Sequence, residues 1–254
     1  MRRGAPVEST WHRVGNWKIH MRYAADGRHG RPAVVLVHGL GVSSRYMVPT
    51  LRLLGRDFDV YAPDLPGFGR STKPRHVLSV RELADALAAW IDASGLDAPV
   101  LLGNSFGCQI IVDMAARYRR KAARLVLVGP TVDPRRRTAL LQIADWAADV
   151  PREQLSLAAV VGLDYLRCGP RRLFRTLRHA LDDAIEAKLP HVGVPALVVR
   201  GLRDTVVPQR WAEEVAALLP AGRLALIPGA AHALHFTAPL ELSRVTRAFL
   251  NGPC

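Results

Sequence analysis

The stretch that decides the fold is VLLGNSFGCQI, residues 100–110. An apolar run, Val100–Leu102, leads into Gly103-Asn104-Ser105-Phe106-Gly107, and helical spacing follows from Phe106 to Tyr118. A G-x-S-x-G sequence between a strand and a helix makes a sharp turn that lifts the serine hydroxyl out at the carboxyl end of the strand. Side chains at 103 and 107 would collide with neighbouring backbone, so both positions call for glycine. The helix N-terminus behind Ser105 favours negative charge close by.

Outward from that turn the chain alternates. Apolar, β-branched runs at Ala33–Val37 (AVVLV), Val60–Ala62, Leu125–Val128, Ala196–Val199 and Leu224–Ile227 join Val100–Leu102 as strands buried on both faces. Ser79–Ala93, Phe106–Tyr118, Gln209–Leu219 and Leu240–Leu250 carry apolar residues at helical spacing. Strand–helix alternation of this kind predicts a mainly parallel α/β sheet. Trp11–Val14 and Trp17–Tyr23, joined by Gly15-Asn16, read as two further short strands, and Gly27, Gly30 and Pro32 then break the chain. Residues 1–10 show no periodicity and read as a loose tail.

One segment breaks the alternation. Between Val128 and Ala196 lie about 65 residues without a convincing strand, too many for a structureless loop in a compact domain. Thr138–Ala148, Leu155–Tyr165 and Arg171–Lys188 read as helices, so the segment is expected to be a helical insertion over one end of the sheet. The organisation expected is a core over 1–130 and 192–254, with a cap over 131–191.

Composition sets limits on function. The 254 residues suit one large domain, or one with an insertion. Lys+Arg number 35 against 22 Asp+Glu, a net charge of +13, and only Lys18, Lys73, Lys121 and Lys188 are lysines. The arginines are scattered, with no aromatic-interleaved basic stripe, which argues for a solvated surface and against a specific nucleic-acid module. Cys108, Cys168 and Cys254 make no disulfide framework, no apolar run follows Met1-Arg2-Arg3, and no window approaches the roughly 18 apolar residues of a membrane span. A cytoplasmic, non-membrane protein acting on a small molecule is the expectation.

A serine hydroxyl needs a base, itself oriented by a third group. On this type of sheet the chain order is Ser, then Asp or Glu, then His. Asp204, in Gly201-Leu202-Arg203-Asp204-Thr205, follows the Ala196–Val199 strand, and His232, in Gly229-Ala230-Ala231-His232-Ala233, follows Leu224–Ile227. All three residues therefore belong on the rim at the carboxyl ends of the strands, where open α/β sheets bind ligands.

Four motifs in order make the chain resemble the α/β-hydrolase superfamily from about Val14 to Leu250. They are His38-Gly39-Leu40-Gly41, Asp64-Leu65-Pro66-Gly67-Phe68-Gly69-Arg70-Ser71, the Ser105 turn, and the paired Asp204 and His232 loops. The resemblance implies an eight-stranded α/β-hydrolase sheet with a helical cap and a Ser105–His232–Asp204 triad. It implies an oxyanion hole from the backbone N–H groups of Leu40 and Phe106, each donor worth about 3–4 kcal/mol. It makes His38 a brace for its loop and implies no cofactor and no metal.

Rivals exist for each role. His235 competes with His232 as base, and Asp133 with Asp204 as acid. Cys108 reads as a packing residue, Arg203 as a solvent-facing neighbour, and Pro66–Gly69 as a structural turn. Serine at the turn excludes relatives that use Asp there, the haloalkane dehalogenases and epoxide hydrolases. Ester, thioester, lactone and carbon–carbon bond hydrolysis remain. Asn104-Ser105 is similar to the meta-cleavage-product hydrolases, but the HGLG loop and the absence of a Trp soon after His232 depart from them. A triad-bearing ligand sensor with slow turnover is a further alternative. In the family the cap roofs the pocket. Trp146, Tyr165 and Phe174 are the main candidate lining residues, with Leu155 and Leu166 beside them, and they suggest a largely apolar acyl or aromatic substrate. The cap arginines Arg135, Arg136, Arg137, Arg171, Arg172, Arg175 and Arg178 could attract a carboxylate or CoA-like anion.

Overall fold

A computed structural model describes residues 4–25 and 31–252. Met1–Arg3, Gly27, Gly30 and Cys254 lie outside the described residues. Eight strands form one sheet: β1 (Glu8–Val14), β2 (Trp17–Ala24), β3 (Ala33–Val37), β4 (Asp59–Pro63), β5 (Val100–Asn104), β6 (Leu125–Val128), β7 (Ala196–Gly201) and β8 (Gly222–Ile227). Their spatial order is β1-β2-β4-β3-β5-β6-β7-β8. β1–β2 and β2–β4 pair antiparallel, and every other neighbouring pair is parallel. The sheet is therefore mainly parallel.

Alternation along the buried strands divides the core between the two faces. Val35, Val37, Leu101, Leu125 and Leu127 pack with α2 (Val80–Ala93), α3 (Phe106–Arg117) and α8 (Gln209–Leu218). Val34, Leu36, Leu102, Val126 and Val128 pack with α1 (Val48–Leu54) and α10 (Pro239–Asn251). This two-sided burial explains why the central strands read as unbroken apolar runs. A capping box starts α2: Ser79 Oγ accepts from Glu82 N–H, and Glu82 Oε2 accepts from Ser79 N–H at 2.8 Å.

Between β6 and β7 stand four helices: α4 (Ala139–Asp149), α5 (Leu155–Cys168), α6 (Pro170–Asp182) and α7 (Ile185–Lys188). They form the helical cap insertion. The helix expected over Arg171–Lys188 is two, parted at Asp183-Ala184. A four-residue α9 (Leu234–Thr237) follows the His232 loop.

Two expectations are corrected. The tail ends earlier than residue 10, because Glu8, Ser9 and Thr10 already pair with Tyr23, Arg22 and Met21. β1 is an edge strand, so it carries little apolar patterning to read. Helix α1 was not anticipated, because seven residues are too short to establish a period.

Candidate active site

The turn after β5 has the strain its sequence implies. Ser105 has φ 55° and ψ −120°, outside the ordinary region for a non-glycine residue. A Cβ on Gly103 would lie 2.7 Å from the Gly107 carbonyl, and one on Gly107 would lie 2.5 Å from the Val37 carbonyl oxygen. Only glycine fits at either place. Ser105 N–H donates to Val128 O at 2.9 Å, which fixes the turn against β6.

Asp204 and His232 meet at the same rim. His232 Nδ1 lies 2.9 Å from Asp204 Oδ2, both side chains being buried. The other Asp204 oxygen accepts from Val206 N–H at 2.8 Å and Val207 N–H at 2.9 Å. With its carboxylate so bound, Asp204 can orient the ring and stabilise imidazolium. Burial opposes charge on His232, but Asp204, through charge and hydrogen bond, and then Asp149 and Glu153 outweigh it and push the imidazole up to about 9. Gly129, at φ 56°, lets the backbone after β6 pass beneath this pair. A Cβ there would lie 3.0 Å from His232 Nδ1 and 3.3 Å from Asp204 Oδ2. Asn104 Nδ2 donates to Val128 O at 3.2 Å and to His232 O at 3.5 Å, tying the serine turn to the histidine loop.

The HGLG loop lies beside the serine. A Cβ on Gly39 would sit 3.6 Å from Ser105 Cβ. His38 Nε2 accepts from Leu65 N–H at 3.1 Å, and its Nδ1 lies 2.9 Å from Gly39 O. The ring thus bridges the loops after β3 and β4, and burial lowers its basicity. Among the described residues, neither Leu40 N–H nor Phe106 N–H has an intramolecular acceptor.

The rivals are placed elsewhere. Asp133 accepts from Arg135 N–H at 3.0 Å and pairs with Arg210. His235 is fully buried, packs at a tilt against Tyr46 at 3.9 Å between ring centroids, and is held neutral first by burial and then by His232. Cys108 Sγ donates to Gly103 O at 3.1 Å, and burial pushes its thiol far up. Arg203 is exposed.

The cap candidates divide. Tyr165 reaches the HGLG loop: a Cβ on Gly41 would lie 2.9 Å from its ring, and 2.5 Å from Leu173 Cδ1. Trp146 lies with its ring tilted against Tyr165 at 6.1 Å between centroids and is 44 % exposed. Phe174 is 57 % exposed, and its neighbour Leu173 takes the place over the loop.

Some supporting residues gave no sequence signal. Tyr46 donates to Asn104 Oδ1 at 2.6 Å, and buried Arg200 donates to Asp204 O at 2.7 Å and Val207 O at 2.6 Å. Trp211 Nε1 donates to Pro130 O at 3.0 Å. An arginine directly after the apolar run Ala196–Val199, still inside β7, was the one readable hint.

Comparison with known proteins agrees with this geometry. "Putative carbamate hydrolase RutD" of Pseudomonas savastanoi pv. phaseolicola is 30% identical, over 92% of this chain and 98% of its own. A membrane phospholipase A described as a bacterial virulence factor superposes with TM-score 0.75 at 26% identity, covering 97% of this chain and 86% of that one. A lipase (lip1) of Acinetobacter baumannii AYE superposes with TM-score 0.81 at 18% identity, over 96% and 91%, a likeness of fold alone. The profile of the alpha/beta hydrolase family matches residues 34–245, from the first central strand to the last helix. The strand order, the serine turn and the sequence match agree, and this chain belongs to the alpha/beta hydrolase family.

Proposed function

We propose that the protein is a serine hydrolase cleaving carboxylic esters of small, largely apolar acyl or aromatic substrates through an acyl-enzyme. The observation that carries this reading is the buried His232–Asp204 pair, 2.9 Å apart, on the rim that holds the strained Ser105 turn. Ser105 Oγ attacks the carbonyl carbon and His232 takes its proton. Asp204 holds the ring and stabilises its cation. The N–H groups of Leu40 and Phe106 receive the oxyanion, His232 protonates the leaving group, and water then releases the acyl group with His232 again as base. The fold is that of serine esterases and lipases, and relatives named "Putative carbamate hydrolase RutD" and a membrane phospholipase A support acyl-bond cleavage. Residues 131–191 serve as the cap, with Trp146, Tyr165 and Phe174 as its substrate-facing candidates. We place the reaction in the cytoplasm, a reading supported by two buried free thiols, Cys108 and Cys168. No helix among the described residues is long and apolar enough to cross a membrane.

The test is multiple-turnover release of p-nitrophenol from short-chain esters, with fluorophosphonate labelling. Ser105→Ala abolishes labelling and costs roughly four or more decades of turnover. His232→Ala costs about as much, and Asp204→Asn somewhat less. Asp133→Asn, at a carboxylate already paired with Arg210, leaves the rate near wild type. Labelling retained in Ser105→Ala overturns the nucleophile. A single burst without turnover overturns the hydrolase reading in favour of a sensor.

A further inference from the structure

The cap sends two carboxyl groups into the loops that carry the candidate acid and base. Asp149 ends α4, and Glu153 follows a turn of 3-10 helix over Val150–Arg152. Asp149 is 4 % exposed. Its Oδ2 accepts from His232 N–H at 3.4 Å, and its Oδ1 accepts from the N–H and the hydroxyl of Thr205, both at 3.3 Å. Glu153 Oε1 accepts from Ala233 N–H at 2.6 Å. The pair thus takes two consecutive amides of the base loop and the amide next to Asp204.

The second Glu153 oxygen poses a chemical problem. Oε2 is buried without a hydrogen-bond partner, and the Asp149 carboxyl is the side chain that acts on Glu153. Asp149 is buried and Glu153 half-buried, so two ionised carboxylates there repel each other, which favours one of them keeping its proton. A proton on Glu153 Oε2 supplies the missing donor, directed at Asp149, and removes the repulsion. Burial, opposed by the Ala233 N–H and reinforced by Asp149, pushes Glu153 up to about 7. The other ionisable groups facing the pair are His232 and Asp204 on the core loops and Tyr46 after β3.

We propose that Asp149 and Glu153 are positioning residues which, sharing one proton, clamp the His232 loop to the cap and set both the orientation and the charge of the base. The backbone of His232 aims its imidazole, and that backbone is bonded to the cap on two successive residues. Any displacement of the α4–α5 corner therefore reaches the base directly. A second negative charge, formed when Glu153 loses its proton, loosens the clamp and also favours imidazolium. Both effects withdraw neutral base.

The inference takes its kinetic readout from the serine-hydrolase reading, so the experiment has one arm that needs no turnover. In a Ser105→Ala background, the His232 ring is titrated by NMR alone and with Asp149→Asn or Glu153→Gln. Removing a facing negative charge moves the ring's titration to lower pH. In the active protein, Glu153→Ala lowers kcat by up to about 10²-fold with KM little changed, the cost of a misplaced base. Glu153→Gln keeps the acceptor for Ala233 and a donor for Asp149. It recovers most of that loss and removes the ionisation near 7 from the kcat/KM–pH profile. His232 titrations that superimpose in all three backgrounds overturn the clamp, whatever the activity. If no ester is turned over but the titration moves, the hydrolase reading fails and the clamp stands.

Discussion

The core helix α2 and the cap helix α4 bury opposite kinds of side chain. α2 turns Val80, Leu83, Leu87, Trp90 and Ile91 inward, as an amphipathic helix on a sheet should. α4 buries Gln142, Asp145 and Asp149 and exposes Leu140, Ile143 and Trp146, with Val150 exposed just after it. Polar bonds join the cap to the core, beside the apolar packing of Leu157, Ala180 and Ile185. Ser43 Oγ donates to Asp164 at 2.6 Å, Gln109 Nε2 donates to Ala180 O at 2.8 Å, and Lys188 pairs with Asp113 at 2.6 Å. Within the cap, Arg136 holds Asp145. Apolar burial is non-directional and gives the sheet its stability, whereas hydrogen bonds fix direction for little net energy. The contrast suits a rigid rim under a roof whose apolar face is left for a substrate.

That contrast can be broken at its strongest point first. Leu83→Ala empties a fully buried core position and should cost about 2–5 kcal/mol of unfolding free energy, measured by denaturant titration. A cost as small as that of a surface change would mean the core is no better packed than the cap. Trp146→Ala comes next. It should leave folding stability nearly intact and change the ratio of kcat/KM between a short and a bulky ester, by about 1–3 kcal/mol or 10–200-fold. An unchanged ratio removes Trp146 from the pocket and makes the insertion structural. The smallest effect belongs to Leu155→Ser. This residue is 90 % exposed at the start of α5, and the change should fall within about 0.5 kcal/mol of wild-type stability. A larger loss would show that the apolar side of the cap is covered in solution.

Base chemistry supplies the pH dependence. In the proposed mechanism neutral His232 accepts the proton, and Asp204, Asp149 and Glu153 hold the ring's titration up near 9. Turnover should therefore climb from neutral pH towards about 9, less steeply than for a single ionisation because Glu153 loses its proton near 7. Because the folded value is raised, the stability linked to this proton is complete below about 6.5 and is lost as pH rises through 9.

How much was legible differs by element. The inner strands β3 to β7 and the loops of Ser105, Asp204 and His232 could be read directly, because a strand buried on both faces must be apolar and β-branched throughout, whereas β8, half-buried at the sheet edge, was read from its apolar run alone. The glycine pair at 103 and 107 was legible because backbone contacts that close exclude every other residue. β1 escaped in part, being an edge strand, and α1 escaped for want of a full period. Phe174 and Leu173 are adjacent in sequence, and apolarity alone does not tell which of the two turns towards Gly41.

By itself, the sequence determined the alternation of strands and helices, the place of the insertion and the order of the three candidate catalytic residues. These follow from local period, glycine sterics and chain order. Only the tertiary structure decided that Asp204, and not Asp133, faces His232, and that Tyr46, Asn104 and Arg200 brace the site. It also decided that Asp149 and Glu153 reach across from the cap. Such partners lie far apart in the chain, and a polar side chain carries no mark of its distant acceptor until packing excludes water and leaves it only one.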